Sequence, residues 1–144
     1  MALTNQVSNV YGVGLRSVGA YQVSGTPYLT GSTIDKDVEY NVSGVDGELM
    51  IQFPYVTQTV TVVNTTASGA LFLHFVSSSS PGWNLTKKQF ITLNAGETMT
   101  FDAKCKEIFL NNDNATDQTF ELIADLTNIP TGSMFALTGS GVTE

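Results

Sequence analysis

The stretch Val56-Thr57-Gln58-Thr59-Val60-Thr61-Val62-Val63 is dominated by β-branched residues, and its apolar and hydroxyl side chains largely alternate. That pattern suits a strand on a pleated, half-buried surface. Phe120, Leu122, Ala124 and Leu126 alternate with polar Glu121 and Asp125, which predicts a strand over 119–126 with one wet face, as in an antiparallel sheet. Ala70 to Val76 is apolar on both parities and reads as a central strand. Val38, Tyr40 and Val42 alternate with Glu39 and Asn41. Asp46-Gly47 then supplies a turn before Glu48 to Phe53, and Pro54 ends that run. Gln89 to Leu93, the turn Asn94 to Glu97, and Thr98 to Ala103 read as a second hairpin. Met99, Phe101, Ala103 and Cys105 share one face. The apolar phase then changes at Lys106, which predicts a bulge or a strand break there.

About seven or eight strands, with turn signals roughly every 8–12 residues and no helical period, predict an all-β chain. The expected architecture is an antiparallel β-sandwich or jelly roll over residues 34–127. Residues 1–33 differ, with frequent glycines and isolated aromatics. They read either as an extended N-terminal arm that needs an outside surface, or as an edge strand with loops on the same domain. Residues 128–144 read as a C-terminal tail.

Composition narrows the function. The chain has 144 residues, long enough for one domain with a core of its own. Only 13% of residues are charged, about half the usual share, so Thr, Ser, Asn and Gly must carry solubility or a partner must cover much of the surface. The net charge of −7 and a pI near 4.4 argue against phosphate-mediated binding of nucleic acid. The first residues lack the basic and apolar regions of a signal peptide, and no apolar run is long enough for a membrane helix. The expectation is a product of the cytoplasm that contacts neither membrane nor nucleic acid.

Candidate chemistry is sparse. His74 is the only histidine and lies in the most apolar strand, which predicts a structural imidazole. Cys105 is the only cysteine, excludes an intrachain disulfide, and reads as a small core residue. One of each falls short of a zinc site. Asp35, Asp37 and Glu39, and the loop Asn111 to Asp117, offer oxygen ligands but match no EF-hand, and the loop reads as a turn. Asn41, Asn64, Asn84 and Asn114 head glycosylation-type triplets that chance explains in a chain so rich in Asn and Thr. No catalytic residue, cofactor or metal is expected. Trp83, in a Ser-rich loop, suits a sandwich cover, a contact anchor or a sugar platform. Tyr11, Leu15, Tyr21 and Tyr28 are the candidate partner-binding residues of the arm.

Three stretches are similar to a known class: Val18 to Gly31, Ile91 to Leu110, and Leu126-Thr-Asn-Ile-Pro130 followed by Leu137 to Thr143. Together they resemble small virion structural proteins of tailed bacteriophages, especially of marine and cyanobacterial phages. The resemblance implies a capsid decoration, or cement, protein without catalytic residues. It further implies a homotrimer bound to the major capsid protein on the outside of the virion head. The alternative of a different class is a carbohydrate-binding β-sandwich, such as a receptor-binding or head-fibre domain.

Overall fold

The computed structural model describes residues 14–15, 25–36, 47–80, 89–112 and 114–137. Eight strands follow in order: β1 (Thr26–Ile34), β2 (Glu48–Gln52), β3 (Tyr55–Asn64), β4 (Leu71–His74), β5 (Ile91–Leu93), β6 (Thr98–Phe101), β7 (Glu107–Asn111) and β8 (Gln118–Pro130). They build two four-stranded antiparallel sheets, β1-β8-β3-β6 and β2-β7-β4-β5, so the chain is the expected β-sandwich. Strands pair as β1 with β8, β2 with β7, β3 with β6 and β4 with β5. The two halves of the chain therefore lie together like the arms of one long hairpin closed at β4 and β5. Further ladders, β3 with β8 and β4 with β7, roll this hairpin up.

Alternation decides which residues enter the core. Val60, Val62, Phe120, Leu122, Ala124 and Leu126 of the first sheet meet Leu71, Leu73, Ile108 and Leu110 of the second, with Cys105 at the side. Antiparallel register keeps each face consistent across strands: Val60 lies opposite both Phe101 and Ala124, and Thr61 opposite both Thr100 and Ile123. Near its start β3 carries a bulge. Thr57 pairs with Leu126 but Thr59 pairs with Asp125, so β3 advances two residues against one. The phase resets there, and Val56 joins Ile129 and Met134 in a second small cluster against which Leu15 packs.

Three expectations need correction. Residues 26–33 belong to the sheet: β1 is an edge strand paired with β8 along its whole length, so the boundary drawn at 33/34 cuts through a strand. At the other end β8 continues to Pro130, and buried Ile129 and Met134 tie the start of the expected tail to the fold. The segments 89–93 and 98–103 are not a hairpin, because β5 and β6 lie in different sheets. Their turn is held from outside: Gly96 N donates to Asn64 O at 2.9 Å and Asn64 N to Glu97 O at 3.0 Å. Gly96 has φ +77°, as a glycine turn allows, but the chain leaving it crosses the sandwich. The break foreseen at Lys106 is the next crossing, from β6 to β7. The alternating run 38–42 lies outside the described residues.

Leu122 and Ile123 are neighbours on β8 with opposite faces, 2% and 42% exposed. Leu122→Ala should lower unfolding stability by about 2–5 kcal/mol, whereas Ile123→Thr should stay within about 1 kcal/mol. Urea denaturation followed by circular dichroism measures both. Equal losses would show that the alternation does not set the faces of β8.

Candidate functional site

The two outer faces of the sandwich are built differently. On the second sheet the outward row contains His74 and Phe109, and Glu48 lies on the same face, yet their exposures are 1%, 5% and 0%. The chain itself covers this part of the face. Glu48 is the anchor of the cover: Ser77 Oγ donates to its Oε1 at 2.6 Å, Ser78 N donates to Oε2 at 2.9 Å, and the Ser78 hydroxyl also donates to Oε2. His74 Nε2 lies 3.7 Å from Glu48 Oε2, and His74 stacks on Phe109 with ring centres 5.8 Å apart. Phe90 packs edge-on against Phe72 at 4.9 Å. A buried carboxylate needs such partners, because an unpaired charge out of water costs several kcal/mol.

Serine, histidine and glutamate side by side raise the question of a nucleophile. The geometry differs from that of a charge-relay set. The imidazole Nδ1 is 2.6 Å from Val76 O, a carbonyl that can only accept, so Nδ1 carries a proton. The carboxylate faces Nε2, and the serine hydroxyls donate to that carboxylate. An activated serine would donate to the imidazole instead. The arrangement fastens the segment Ser77–Ser80 to the sheet.

Cys105 is likewise structural. The thiol is buried, and burial pushes its pKa up to about 11; the Thr57 contact at 3.1 Å pulls the other way and Glu107 adds to the rise. Thr57 Oγ1 donates to Ala103 O at 2.6 Å and accepts from Cys105 N at 3.1 Å, so one hydroxyl fixes the crossing between β6 and β7. Asn64 and Asn114 use their amides inside the fold. Asn64 Nδ2 donates to Leu93 O at 3.0 Å, and Asn114 Nδ2 to Ala70 O at 2.6 Å. Those bonds leave neither amide placed to carry a glycan. Asn112 Nδ2 donates to Ile34 O at 2.8 Å and its Oδ1 accepts from Asn114 N at 3.0 Å, so the amide-rich loop is a hydrogen-bonded turn. No cluster of three or more metal-ligating side chains occurs among the described residues.

The first sheet presents a different surface. Outward positions read Pro27, Leu29, Gly31 on β1, Glu121, Ile123, Asp125 on β8, and Thr59, Thr61, Val63 on β3. Register aligns Leu29, Ile123, Thr61 and Thr100 in one row across the sheet. Leu29 is 73% exposed. Beside it Gly31 lacks a side chain, and the gap opens a shallow recess of about 450 Å³ floored by Leu29, Gly31, Val63 and Ile123. Thr61 and Thr100 hydroxyls bond each other at 2.8 Å, and Thr59 donates to Asp102 at 2.9 Å.

Of the expected partner-binding residues, Tyr28 is half-buried on the inner face of β1, its ring edge-on to Phe53 at 5.5 Å, so the fold uses it. Leu15 is half-buried against the second cluster, and its carbonyl accepts from Lys104 Nζ at 3.2 Å. Tyr11, Tyr21 and Trp83 lie outside the described residues. The exposed apolar residue of β1 is Leu29, which sequence reasoning passed over. The signal available was Ile123, an aliphatic residue in the outward series between Glu121 and Asp125.

Burial holds the His74 pKa below its ordinary 6.5, against the opposing pull of the Val76 carbonyl and Glu48. The unfolded chain therefore binds this proton at a pH where the folded chain still refuses it. The contribution to stability is complete above about pH 6.5 and is lost as pH falls through the lower folded value. His74→Asn, whose amide nitrogen replaces Nδ1 toward Val76, should lose the part of the pH dependence that lies below about pH 6.5. Urea midpoints measured across that range in both proteins test this. Parallel slopes would show that His74 takes up no proton on unfolding.

No family model and no curated protein sequence matches the chain. Among solved structures it is similar to the Yersinia pseudotuberculosis-derived mitogen. The TM-score is 0.39 and the identity 13%, over 72% of this chain and 88% of the other. A likeness at that level carries no argument about function.

Proposed function

We propose that this chain is a non-enzymatic structural protein that decorates a bacteriophage capsid, docking as a homotrimer on the major capsid protein. The proposal joins the sequence resemblance to one structural observation, the exposed aliphatic side chains on the outer face of the β1-β8-β3-β6 sheet. Leu29 and Ile123 are aliphatic and exposed there, beside Thr61 and Thr100. Aliphatic side chains in water gain free energy when a partner covers them, at about 25 cal/mol per Å² removed from solvent. The low charge of the chain keeps the desolvation cost of such contact small. The side chains with chemical potential are occupied otherwise, Glu48, His74 and Ser77 in holding a cover and Cys105 in the core. Placement on the virion surface after synthesis in the host cytoplasm completes the reading.

Purified particles of the phage that encodes the chain should contain it at a fixed ratio to the major shell protein. Capsids stripped of it should bind the recombinant protein in a sedimentation assay, and light scattering should give three copies in solution. Particles free of the protein, or stripped capsids that fail to bind it, would overturn the proposal.

A further inference from the structure

The outer face of the first sheet combines a neutral row with acidic flanks. Leu29, Ile123, Thr61 and Thr100 form the row. Glu121 lies one outward position to one side of Ile123, and Asp125 and Asp102 lie to the other. Glu121, Asp125 and Asp102 are all exposed. The outward positions of these four strands hold no Lys or Arg. Lys104, just beyond β6, turns its ammonium to the carbonyl of Leu15. The face is thus an aliphatic strip between two acidic margins.

We propose that this strip is the docking surface for a protein segment with an aliphatic or aromatic side chain flanked by Lys or Arg. The inference rests on the decoration reading and names the chemistry that the shell must offer. Charge argues for this occupant over a second copy. Turning the face onto itself about a two-fold axis at Ile123 sets Glu121 of one copy against Asp125 of the other, and like charges brought together across an interface repel. A basic partner converts the same margins into attraction. The recess beside Gly31, lined by Leu29, Val63 and Ile123, receives the apolar side chain. The margins fix orientation and speed encounter, and the strip supplies the area.

Two arms test this. In the first, stripped capsids are titrated with wild type, Ile123→Lys, the double variant Glu121→Lys/Asp125→Lys, and Thr92→Lys as a control on the exposed edge of the other sheet. Circular dichroism verifies folding of each. The first two variants should lose about tenfold or more in affinity, and the control should bind as wild type. Capsid binding unchanged in Ile123→Lys and the double variant would overturn the docking surface while leaving the decoration reading intact. The second arm needs no capsid. Methyl resonances of Leu29 and Ile123 are followed while a short synthetic peptide alternating Lys and Val is added, with a Glu/Val peptide as counterpart. Shifts with the first peptide alone, lost in the double variant, support the surface. No shift, or equal shifts with both, would overturn it. A positive peptide arm with wild type that fails to bind capsids would reject the decoration reading and keep the surface.

Discussion

Strand β8 is the constraint on which the structure depends. It runs for 13 residues and is hydrogen-bonded along both edges, to β1 and to β3. Its even positions from Phe120 to Leu126 are driven into the core by the loss of apolar surface to water. That choice fixes the odd positions outside. Because the side-chain period is two, the rotation that buries Leu122 also exposes Ile123 between Glu121 and Asp125. Register then carries the assignment to both neighbours: Leu29 of β1 and Thr61 of β3 must point outward with Ile123. Core and outer surface are two consequences of one pattern.

The two sheets satisfy this pattern unequally. The second sheet turns Phe109 and His74 outward and places Glu48 on the same face, then covers them with its own chain. The cover is held by charge-assisted hydrogen bonds to Glu48 from Ser77 and Ser78. Such bonds are directional, so they specify where the segment lies as well as stabilising it. On the first sheet Leu29 and Ile123 retain large exposure. The first sheet thus keeps exposed aliphatic side chains on an outer face whose margins carry Glu121 and Asp125.

Much of the architecture was legible in the sequence. Alternation exposed β3 and β8, and the doubly apolar run marked β4 as a central strand between β7 and β5. The turn at Asn94–Glu97 was legible as a turn but not as a crossing. Gly96 needs the same backbone in a hairpin as in an arch, and the deciding bonds come from Asn64, far away in sequence. β1 was half-hidden because Pro27 and Gly31 interrupt the strand signal of Thr26–Ile34, and its order derives from β8. Tyr28 read as an arm anchor on residue type alone, and pairing turned it inward onto Phe53. The burial of Glu48 had no local signal either, since its serine partners lie about thirty residues downstream.

Amide hydrogen exchange, measured on the free protein and on particles carrying it, tests the central claim that one sheet is closed by the chain and the other by a partner. In the free protein the amides of β8 from Phe120 to Ala124 should exchange slowest, those of the edge strand β1 faster, and Ser78 should already be protected through Glu48. Binding should slow β1 and the outward part of β3, with little change on β2, β4 and β7. New protection confined to the second sheet, or none on β1, would contradict the account.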